Sequence, residues 1–448
     1  MGLKASASRL SLLLGALLYA APAFSADLMQ VYREALTNDQ QYMAARAAAE
    51  AGREKGPQGL AGLLPTVSAT ANTVWNENKY NGTNLGNKVN ASRDFNSNAY
   101  NVNLTQPLFR WQNFMQYGQG KLQVVQAEAN FAQASQDLIL RVAQAYFDVL
   151  YAQESLKAVR ANKEAIGQQL EQAKKSFEVG TVTITDSQEA QARFDLASAQ
   201  EIKAESDLEV ARYSLRVIVG KDSGELNRLK PQAELKPPQP ASMDKWVDAA
   251  VQDSFTVQAQ QAAAEVAAKE VERMRAGHYP TIDVVANYGK NNSALSFVGN
   301  DSLETTARNI GLQLNVPIFQ GGYVNSKTRE AVANRNAAEA TLESAKRTAA
   351  LYVQQSYLGV VNGLAQVRAL DAALISSISA LESNKLGLDV GVRIIIDVLN
   401  AEQQVYLTRR DLARARFDTL LSQLRLKAAV GSLGEADLEQ INPLFEAP

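Results

Sequence analysis

The sequence has no cysteine and only one histidine, His278. Without cysteine the chain has no disulfide, thiolate metal site, cysteine nucleophile or lipidated N-terminal cysteine. With one histidine it cannot assemble a multi-histidine metal site or a histidine-dependent catalytic triad. We interpret His278 as a helix-end histidine rather than a ligand, and we expect neither a metal nor another cofactor.

Excess charge of either sign is also missing. The formal net charge is −2, from 45 basic and 47 acidic residues. A nucleic-acid-binding protein normally shows a basic excess or stripe, so we expect no nucleic-acid partner. Acidic residues are numerous, but they lie at positions typical of solvated helix faces, with no convergent set around them. We therefore do not expect an enzyme.

Long hydrophobic runs are confined to the N-terminus. Residues 1–26 combine Lys4 and Arg9, an apolar run over residues 10–20 and small residues over 23–26. This order is typical of a cleaved secretory signal peptide, and the short run argues against the alternative of a membrane anchor. No later run of 18 apolar residues follows, so we expect no further transmembrane helix. The exported chain is then either soluble outside the inner membrane or inserted by β-strands.

What the sequence does contain is an internal repeat. The stretch Phe177–Asp186 recurs as Leu388–Asp397, 211 residues later, and both copies carry a Val-Gly pair and end in aspartate. Three further landmarks recur in the same order at nearly the same offset: Leu64–Val67 as Tyr279–Ile282, Gln106–Phe109 as Val316–Phe319, and Val219-Gly220 as Val430-Gly431. Four landmarks in register predict an internal duplication of about half the chain.

Each half contains two segments in which apolar and polar residues alternate. These segments flank two stretches rich in Asn, Gly and Ser, Asn76–Asn98 and Gly289–Glu304, which we predict to be loops. The pattern predicts two hairpins, with four strands of about ten residues. The residues alone leave open whether the hairpins pack on a soluble core or face lipid. Amides and hydroxyls on the polar faces, with aromatics beside the strands, are typical of outer-membrane barrels.

The remaining sequence is dominated by helical heptads. From Arg110 to Glu178 there is no proline, and an apolar series at seven-residue spacing is broken only by Lys163. The pattern predicts a coiled-coil helix about 100 Å long at 1.5 Å per residue. Gly180 and Gly391 mark predicted hairpin tips, from which a second helix returns. In the first return helix, Glu201 is the one exception to the apolar series.

These elements divide the chain into a signal peptide (1–26), a first structural repeat (27–220), a proline-containing linker (221–245), a second repeat (246–431) and a C-terminal segment (432–448). We expect Asp27 to Gly56 to form one helix ended by Pro57, and Asp244 to Ala276 to form another. Four strands cannot close a barrel, and an open sheet edge in lipid is costly. If the strands meet lipid, several copies must assemble, because closed barrels start at about eight strands.

Several motifs in this order resemble the TolC family of outer-membrane channel-tunnels, of the unlipidated type. The resemblance covers essentially the whole mature chain. It is carried by the two Val-Gly tips and by Leu28–Tyr32, Gln106–Phe109, Gly277–Thr281, Pro317–Gly322, Arg414–Phe417 and Ala429–Gly431.

The resemblance implies an α+β membrane protein. Three copies would form a homotrimer with a twelve-stranded outer-membrane β-barrel, four strands per chain, continuous with a long periplasmic α-helical coiled-coil barrel that narrows to a closed tip. The 221–245 and 432–448 segments would form an equatorial band around it. The implied location is the outer membrane of a Gram-negative bacterium, with a periplasmic extension and contact with lipid.

The function implied by the resemblance is a passive exit duct in type I secretion, multidrug efflux or both. Such a duct receives protein or small-molecule cargo from an inner-membrane ABC or RND-type transporter through a periplasmic adaptor. The alternative is an exported coiled-coil or adaptor-like scaffold of the cell envelope. Such a scaffold would carry lipoyl-like and soluble β domains rather than two hairpins.

The resemblance also implies a gate at the tips. Asp186 and Arg393 match a family gate pair, and Asp397 matches an acid that faces the lumen. Asn400 stands where a family member has a second acid, and Leu388 where it has a tyrosine. These two departures imply a weaker gate and weaker cation selectivity.

Other roles for the tip residues stay open on the sequence alone. Asp186 and Glu189 have the spacing of a helix capping box. Arg393 equally fits a solvated charge, and Asp397 fits a residue that stabilises a helix start.

Overall fold

A computed structural model describes residues 26–84, 87–181, 183–294 and 302–447. The predicted signal peptide lies outside these residues except for Ala26, which forms a parallel bridge with Leu226.

The described part of the first half contains five helices and a β-hairpin. They are α1 (Leu28–Asn38), α2 (Gln40–Arg53), α3 (Lys55–Ala61), β1 (Thr66–Asn84), β2 (Asn87–Phe109), α4 (Trp111–Glu178) and α5 (Ile184–Val219). The second half repeats most of this order after a short strand. Its elements are β3 (Arg228–Leu229), α6 (Met243–Asp253), α7 (Phe255–Arg275), β4 (Thr281–Ala294), β5 (Ser302–Asn315), α8 (Tyr323–Asp389), α9 (Ile395–Ala429), α10 (Glu435–Ile441) and β6 (Phe445–Glu446).

The prediction of a single helix from Asp27 to Gly56 was wrong. Asp39 interrupts it, because its carboxylate accepts a hydrogen bond from the Tyr42 backbone N–H at 2.6 Å and so caps a new helix. Pro57 does not end the segment, since it lies in the first turn of α3, where proline is tolerated. The predicted helix from Asp244 to Ala276 is likewise divided, at Ser254.

The two hairpins form one antiparallel four-stranded sheet in the order β1-β2-β4-β5. The two stretches predicted to be loops are largely strand. In the first stretch, residues 76–84 pair with residues 87–95, and residues 96–98 pair with residues 73–75. Of Gly289–Glu304, only residues 295–301 lie outside the described strands. Cross-strand side-chain bonds help to extend the first hairpin, as from Thr73 Oγ1 to Asn96 Oδ1 at 2.9 Å.

The sheet has one apolar and one polar face, as the alternation predicted. Cross-strand partners share a face, so the register aligns rows of side chains across all four strands. One row contains Val67, Leu104, Ala286 and Ile310; the neighbouring row on the other face contains Ser68, Asn103, Asn287 and Asn309. The apolar face is uncovered in the chain, with Ile310 82% exposed and Leu312 73% exposed.

The two long helices confirm the heptad prediction. α4 has 68 residues and α8 has 67, so each is about 100 Å long. α4 pairs with α5, α8 pairs with α9, and α4 also packs against α9. The predicted seam residues Val142, Val149 and Leu156 are buried in the main hydrophobic cluster.

The linker and the C-terminal segment meet beside the middle of α4. β3 pairs with β6 in an antiparallel two-stranded sheet. Phe147 of α4 stacks against Phe417 and Phe445, with ring centroids 5.7 and 5.9 Å apart. Tyr146 donates its hydroxyl hydrogen bond to the carbonyl groups of Ala26 and Asn227. These contacts fasten both irregular segments to one face of the helical body.

Much of α8 is apolar yet uncovered. Within the described residues it is the helix that is long and apolar enough, by composition, to span a membrane. Only 11% of its most apolar stretch of 18 residues is buried. The expectation that no transmembrane helix follows the N-terminal segment stays a prediction, because length and composition alone do not show that a helix crosses a membrane. Since α8 is itself 67 residues long and forms a helical hairpin with α9, its uncovered face requires another explanation.

Candidate functional site

The turns that reverse the two long hairpins have the same backbone geometry. Gly180 has φ 78° and Gly391 has φ 77°, values that favour glycine. After each helix end, an N–H beyond the glycine returns to a carbonyl of the last turn, from Thr181 to Ser176 at 2.9 Å and from Val392 to Gly387 at 2.9 Å. These bonds satisfy terminal helix carbonyls and give two compact tips.

Asp186 stabilises the start of α5. The Thr183 backbone N–H donates to the Asp186 carboxylate at 2.9 Å, and the Asp186 N–H donates to Thr183 Oγ1 at 3.3 Å. This is a capping box whose first residue is Thr183, not Asp186 with Glu189 as the spacing had predicted. The box starts earlier because Thr183 has the extended backbone that precedes the helix.

At the other tip, Arg393 and Asp397 face one another. Arg393 Nη1 lies 3.6 Å from Asp397 Oδ2, and both side chains are partly exposed. Asp397 occupies the first turn of α9, where a carboxylate interacts favourably with the helix dipole. Within the described part of one chain, Asp186 and Arg393 therefore bind other groups and not each other.

Asn400 accepts a hydrogen bond from Arg193, a residue that the sequence had not singled out. Arg193 of α5 donates through Nη2 to Asn400 Oδ1 at 3.2 Å and through Nη1 to Gln403 Oε1 at 2.9 Å. Its own helix contributes Glu189, whose Oε1 lies 3.6 Å from Arg193 Nη2. No local pattern links residues more than 200 positions apart, so only the fold could reveal this bridge.

Leu388 lies beside a hydrophobic cluster that joins both hairpins near the tips. Its buried members come from α4, α5 and α9, and Phe194 and Leu388 pack against them: Ile166, Leu170, Ala173, Ala190, Ala197, Ile395 and Leu399. The apolar contact draws the two hairpins of one chain together at the level of Arg193.

The two heptad exceptions, Lys163 and Glu201, are partners. Lys163 Nζ lies 2.8 Å from Glu201 Oε2, and Arg160 Nε lies 3.0 Å from Glu201 Oε1. The ammonium of Lys163 first, and the guanidinium of Arg160 second, hold the pKa of the Glu201 carboxyl below its usual value. Polar residues that break each apolar series separately thus form one ion-pair network across the α4–α5 seam.

A second charged pair crosses the α8–α9 seam. Lys385 Nζ lies 3.0 Å from Glu402 Oε1, and the Glu402 side chain is only 4% exposed. His278 lies at a helix end, as expected, with Nε2 3.1 Å from Asn325 Oδ1. Over the described ranges, no group of three or more His, Cys, Asp or Glu could hold a metal ion.

Sequence comparison links the chain to one family in both halves. Residues 31–221 and residues 246–432 match the profile described as outer membrane efflux protein. The chain is 34% identical over 418 residues to the outer membrane protein TolC of Vibrio cholerae, with 93% of each covered. It is 33% identical over 425 residues to the alkaline protease secretion protein AprF of Pseudomonas aeruginosa, which covers 94% of this chain and 88% of that protein.

Solved structures share the fold. The outer-membrane channel CmeC of Campylobacter jejuni has a TM-score of 0.80 at 18% identity and covers 99% of this chain and 97% of its own. The outer membrane protein VceC of Vibrio cholerae has a TM-score of 0.76 at 18% identity, covering 90% and 96%. The matched family is one of channel and transport proteins and is not a known enzyme family.

Proposed function

We propose that this chain, which belongs to the outer membrane efflux protein family, forms a passive exit duct across the outer membrane and the periplasm. It is an outer-membrane protein of Gram-negative bacteria, as its relatives are. The observation that carries the proposal is the combination of an uncovered apolar sheet face with helical hairpins about 100 Å long. The sheet suits lipid, and the hairpins suit a periplasmic tube.

The sheet edges that one chain leaves open support the proposed homotrimer. β1 and β5 are the sheet edges, and unpaired backbone groups in lipid cost several kcal/mol each. Three copies would give twelve strands, within the range of closed outer-membrane barrels. Below the barrel, α5 and α8 each carry exposed apolar residues, such as Val217 and Ile375, that a neighbouring copy would cover.

We also propose two structural repeats, 27–220 and 246–431. The separate family matches of residues 31–221 and 246–432 support this division. The pairing of β3 with β6 supports an equatorial band made from the 221–245 linker and the 432–448 segment. At that level, these two segments would then lie on the outer face of the helical body.

Cargo and partners are proposed from the relatives' names. AprF and the proteases secretion protein PrtF of Dickeya chrysanthemi are secretion proteins, and BepC of Brucella suis is an outer membrane efflux protein. We propose that this chain serves type I secretion, tripartite multidrug efflux or both. An inner-membrane ABC or RND-type transporter would supply the energy, through a periplasmic adaptor.

The test is reconstitution of the purified mature protein into planar lipid bilayers. Discrete channels from a detergent-soluble trimer are expected. A water-soluble monomer without conductance would contradict the proposed duct and would favour the alternative of an envelope scaffold. Deletion of the gene, followed by assays of both protein secretion and drug susceptibility, then separates protein cargo from small molecules.

The gate is proposed at the hairpin tips, with Asp186 and Arg393 paired between neighbouring copies. Arg393 can bind a further group, since its side chain is more than half exposed and lies 3.6 Å from Asp397. Asp186 uses Oδ2 in its described contacts, which leaves Oδ1 available. Arg393→Ser should loosen the tip and raise the open-to-closed ratio on the order of tenfold, the loss expected for one charged hydrogen bond. Single-channel recording measures this ratio, and an unchanged ratio would show that Arg393 is not part of the gate.

A further inference from the structure

Arg193 connects the two return helices of one chain close to the tips. Its guanidinium bridges from α5 to two amide oxygens of α9, Asn400 Oδ1 at 3.2 Å and Gln403 Oε1 at 2.9 Å. The side chain is 30% exposed, so it is neither fully buried nor freely solvated. A guanidinium can bind two acceptors at once because its donors form a planar fork.

Among the residues that the structure describes, the first return helix makes this bridge and the second return helix makes no equivalent one. Residue 404 is the repeat counterpart of Arg193, 211 positions later, and it is a glutamine. Gln404 donates to Thr408 Oγ1 of its own helix, at 3.1 Å, and to no other element in the described part of the chain. Arg193 is therefore a specific feature of the first return helix rather than a repeated structural contact.

The position of the bridge is electrostatically significant. Asn400 follows Asp397 by three residues, so both side chains leave the same face of α9. Arg393 lies on the N-terminal side of Asp397, and Arg193 binds one helical turn beyond it. Along α9, Asp397 thus lies between Arg393 and the Asn400 acceptor of Arg193, which belongs to a different helical hairpin. Glu189 Oε1 lies 3.6 Å from Arg193 Nη2 and balances part of the Arg193 charge.

We infer that Arg193 is a further gating and selectivity residue of the duct, acting in two separable ways. Its fork holds α5 and α9 together, so the hairpins of one chain must break this bond before the tip widens. Its positive charge offsets the field of Asp397, so cation selectivity is lower than the carboxylate ring alone would give. The inference rests on the proposed function, since it requires a conducting pore with its constriction at the tips.

Two substitutions separate the fork from the charge. Arg193→Met removes both while keeping an apolar stem, and Arg193→Lys keeps the charge but cannot bind two acceptors in the same fixed geometry. In planar bilayers, Arg193→Met should raise the open-to-closed ratio on the order of tenfold, the scale of a lost charged hydrogen bond. It should also raise the cation-to-anion permeability ratio. Arg193→Lys should raise opening and leave the permeability ratio near the wild-type value.

Two further variants complete the test. Asn400→Leu removes one acceptor while Arg193 stays charged, so it should open the channel as Arg193→Lys does. Arg212→Met is the matched control, because Arg212 lies on the same helix and pairs only locally, with Glu209 at 3.1 Å, among the described contacts. It should leave both measurements unchanged.

The outcomes distinguish this inference from the function on which it rests. Wild-type protein that forms no channel overturns both. If wild-type channels form, and Arg193→Met matches them in opening and permeability ratio, only the role of Arg193 is overturned. A rise in opening with no change in selectivity for either Arg193 variant overturns the electrostatic part alone.

Discussion

Asp186 at the first tip has two assigned roles. Asp186 caps α5 through Thr183, yet the family resemblance assigns it to the gate. Capping uses Asp186 Oδ2 among the described contacts, which leaves Oδ1 available to a neighbouring copy. Capping and gating are therefore compatible at this residue.

Asp397 should control block of the channel by multivalent cations. Three copies around a narrow opening would bind such cations, because a constriction concentrates the field of like charges. Asp397→Ala should raise the blocking concentration on the order of tenfold, equivalent to about 1.4 kcal/mol of binding per cation. Conductance titrated with a trivalent cation measures the effect.

The control for this prediction is Glu234→Ala, an exposed acid in the linker. It should leave block unchanged because it lies outside the tips. Equal block in wild type and Asp397→Ala would place Asp397 away from the constriction. If Glu234→Ala also raised the blocking concentration, the effect would come from general surface charge and not from Asp397 in particular.

At the residue scale, the sequence could not predict side-chain contacts between residues that lie far apart in the chain. The capping spacing at Asp186 was visible locally, although the residue that begins the box was misassigned by three positions. Arg193 carried no signal, since its acceptors Asn400 and Gln403 lie in the other half of the chain. Local patterns in one sequence therefore do not reveal which distant side chains the fold brings together.

At the scale of elements, Lys163 and Glu201 could have been paired in advance. Each is the only break in its apolar heptad series, and the two helices were already predicted to pack together. At facing seam positions, two opposite charges in contact cost less free energy to bury than either charge would cost without a partner. The structure confirms this logic with a separation of 2.8 Å.

The Glu201 network should make the helical hairpin sensitive to acid. Lys163 and Arg160 lower the pKa of Glu201 in the folded chain, so the stabilisation is present above the unfolded pKa, near 4.3. It is lost as pH falls through the lower folded pKa. Glu201→Gln should therefore be less stable than wild type at pH 7, and the difference should shrink below about pH 4.

Denaturation of the purified protein at pH 7 and pH 3, followed by circular dichroism, measures this. Glu209→Gln is the matched control, since Glu209 forms only a local exposed pair with Arg212 among the described contacts. Its effect should be small at both pH values. An equal loss for Glu201→Gln at both pH values would assign its effect to packing rather than to charge.

Among the predicted elements, the lengths of the strands were the main error. Asn, Gly and Ser are ordinary signals of loops, yet Asn76–Asn98 continues the hairpin. Strand pairing uses backbone N–H and C=O groups, and only proline lacks the N–H; this stretch contains no proline. Helices were predicted better because a heptad series sustained over many turns is a stronger signal than short alternation.

For the whole molecule, the exposed apolar residues of α5 and α8 should hold the assembly together. Ile202 is 70% exposed and Ile375 is 68% exposed in one chain. The double variant Ile202→Asp/Ile375→Asp should shift the protein to monomers, because burying an unpaired carboxylate costs several kcal/mol. Light scattering in detergent gives the oligomeric state.

Ile202→Leu/Ile375→Leu is the matched control, since it keeps apolar side chains at the same two positions. It should remain trimeric. A double aspartate variant that stays trimeric and conducts normally would show that these positions face solvent or the lumen in the assembly.

The strand order β1-β2-β4-β5 also fixes how copies can join. β1 and β5 run in opposite directions, because each neighbouring pair in the sheet is antiparallel. When β5 of one copy meets β1 of the next, the joint is therefore antiparallel while both copies point the same way along the axis. Each subunit donates one edge and receives a different one, a head-to-tail contact that generates rings. A two-fold joint between identical edges would instead point neighbouring helical stalks to opposite sides of the membrane, which a one-way conduit forbids.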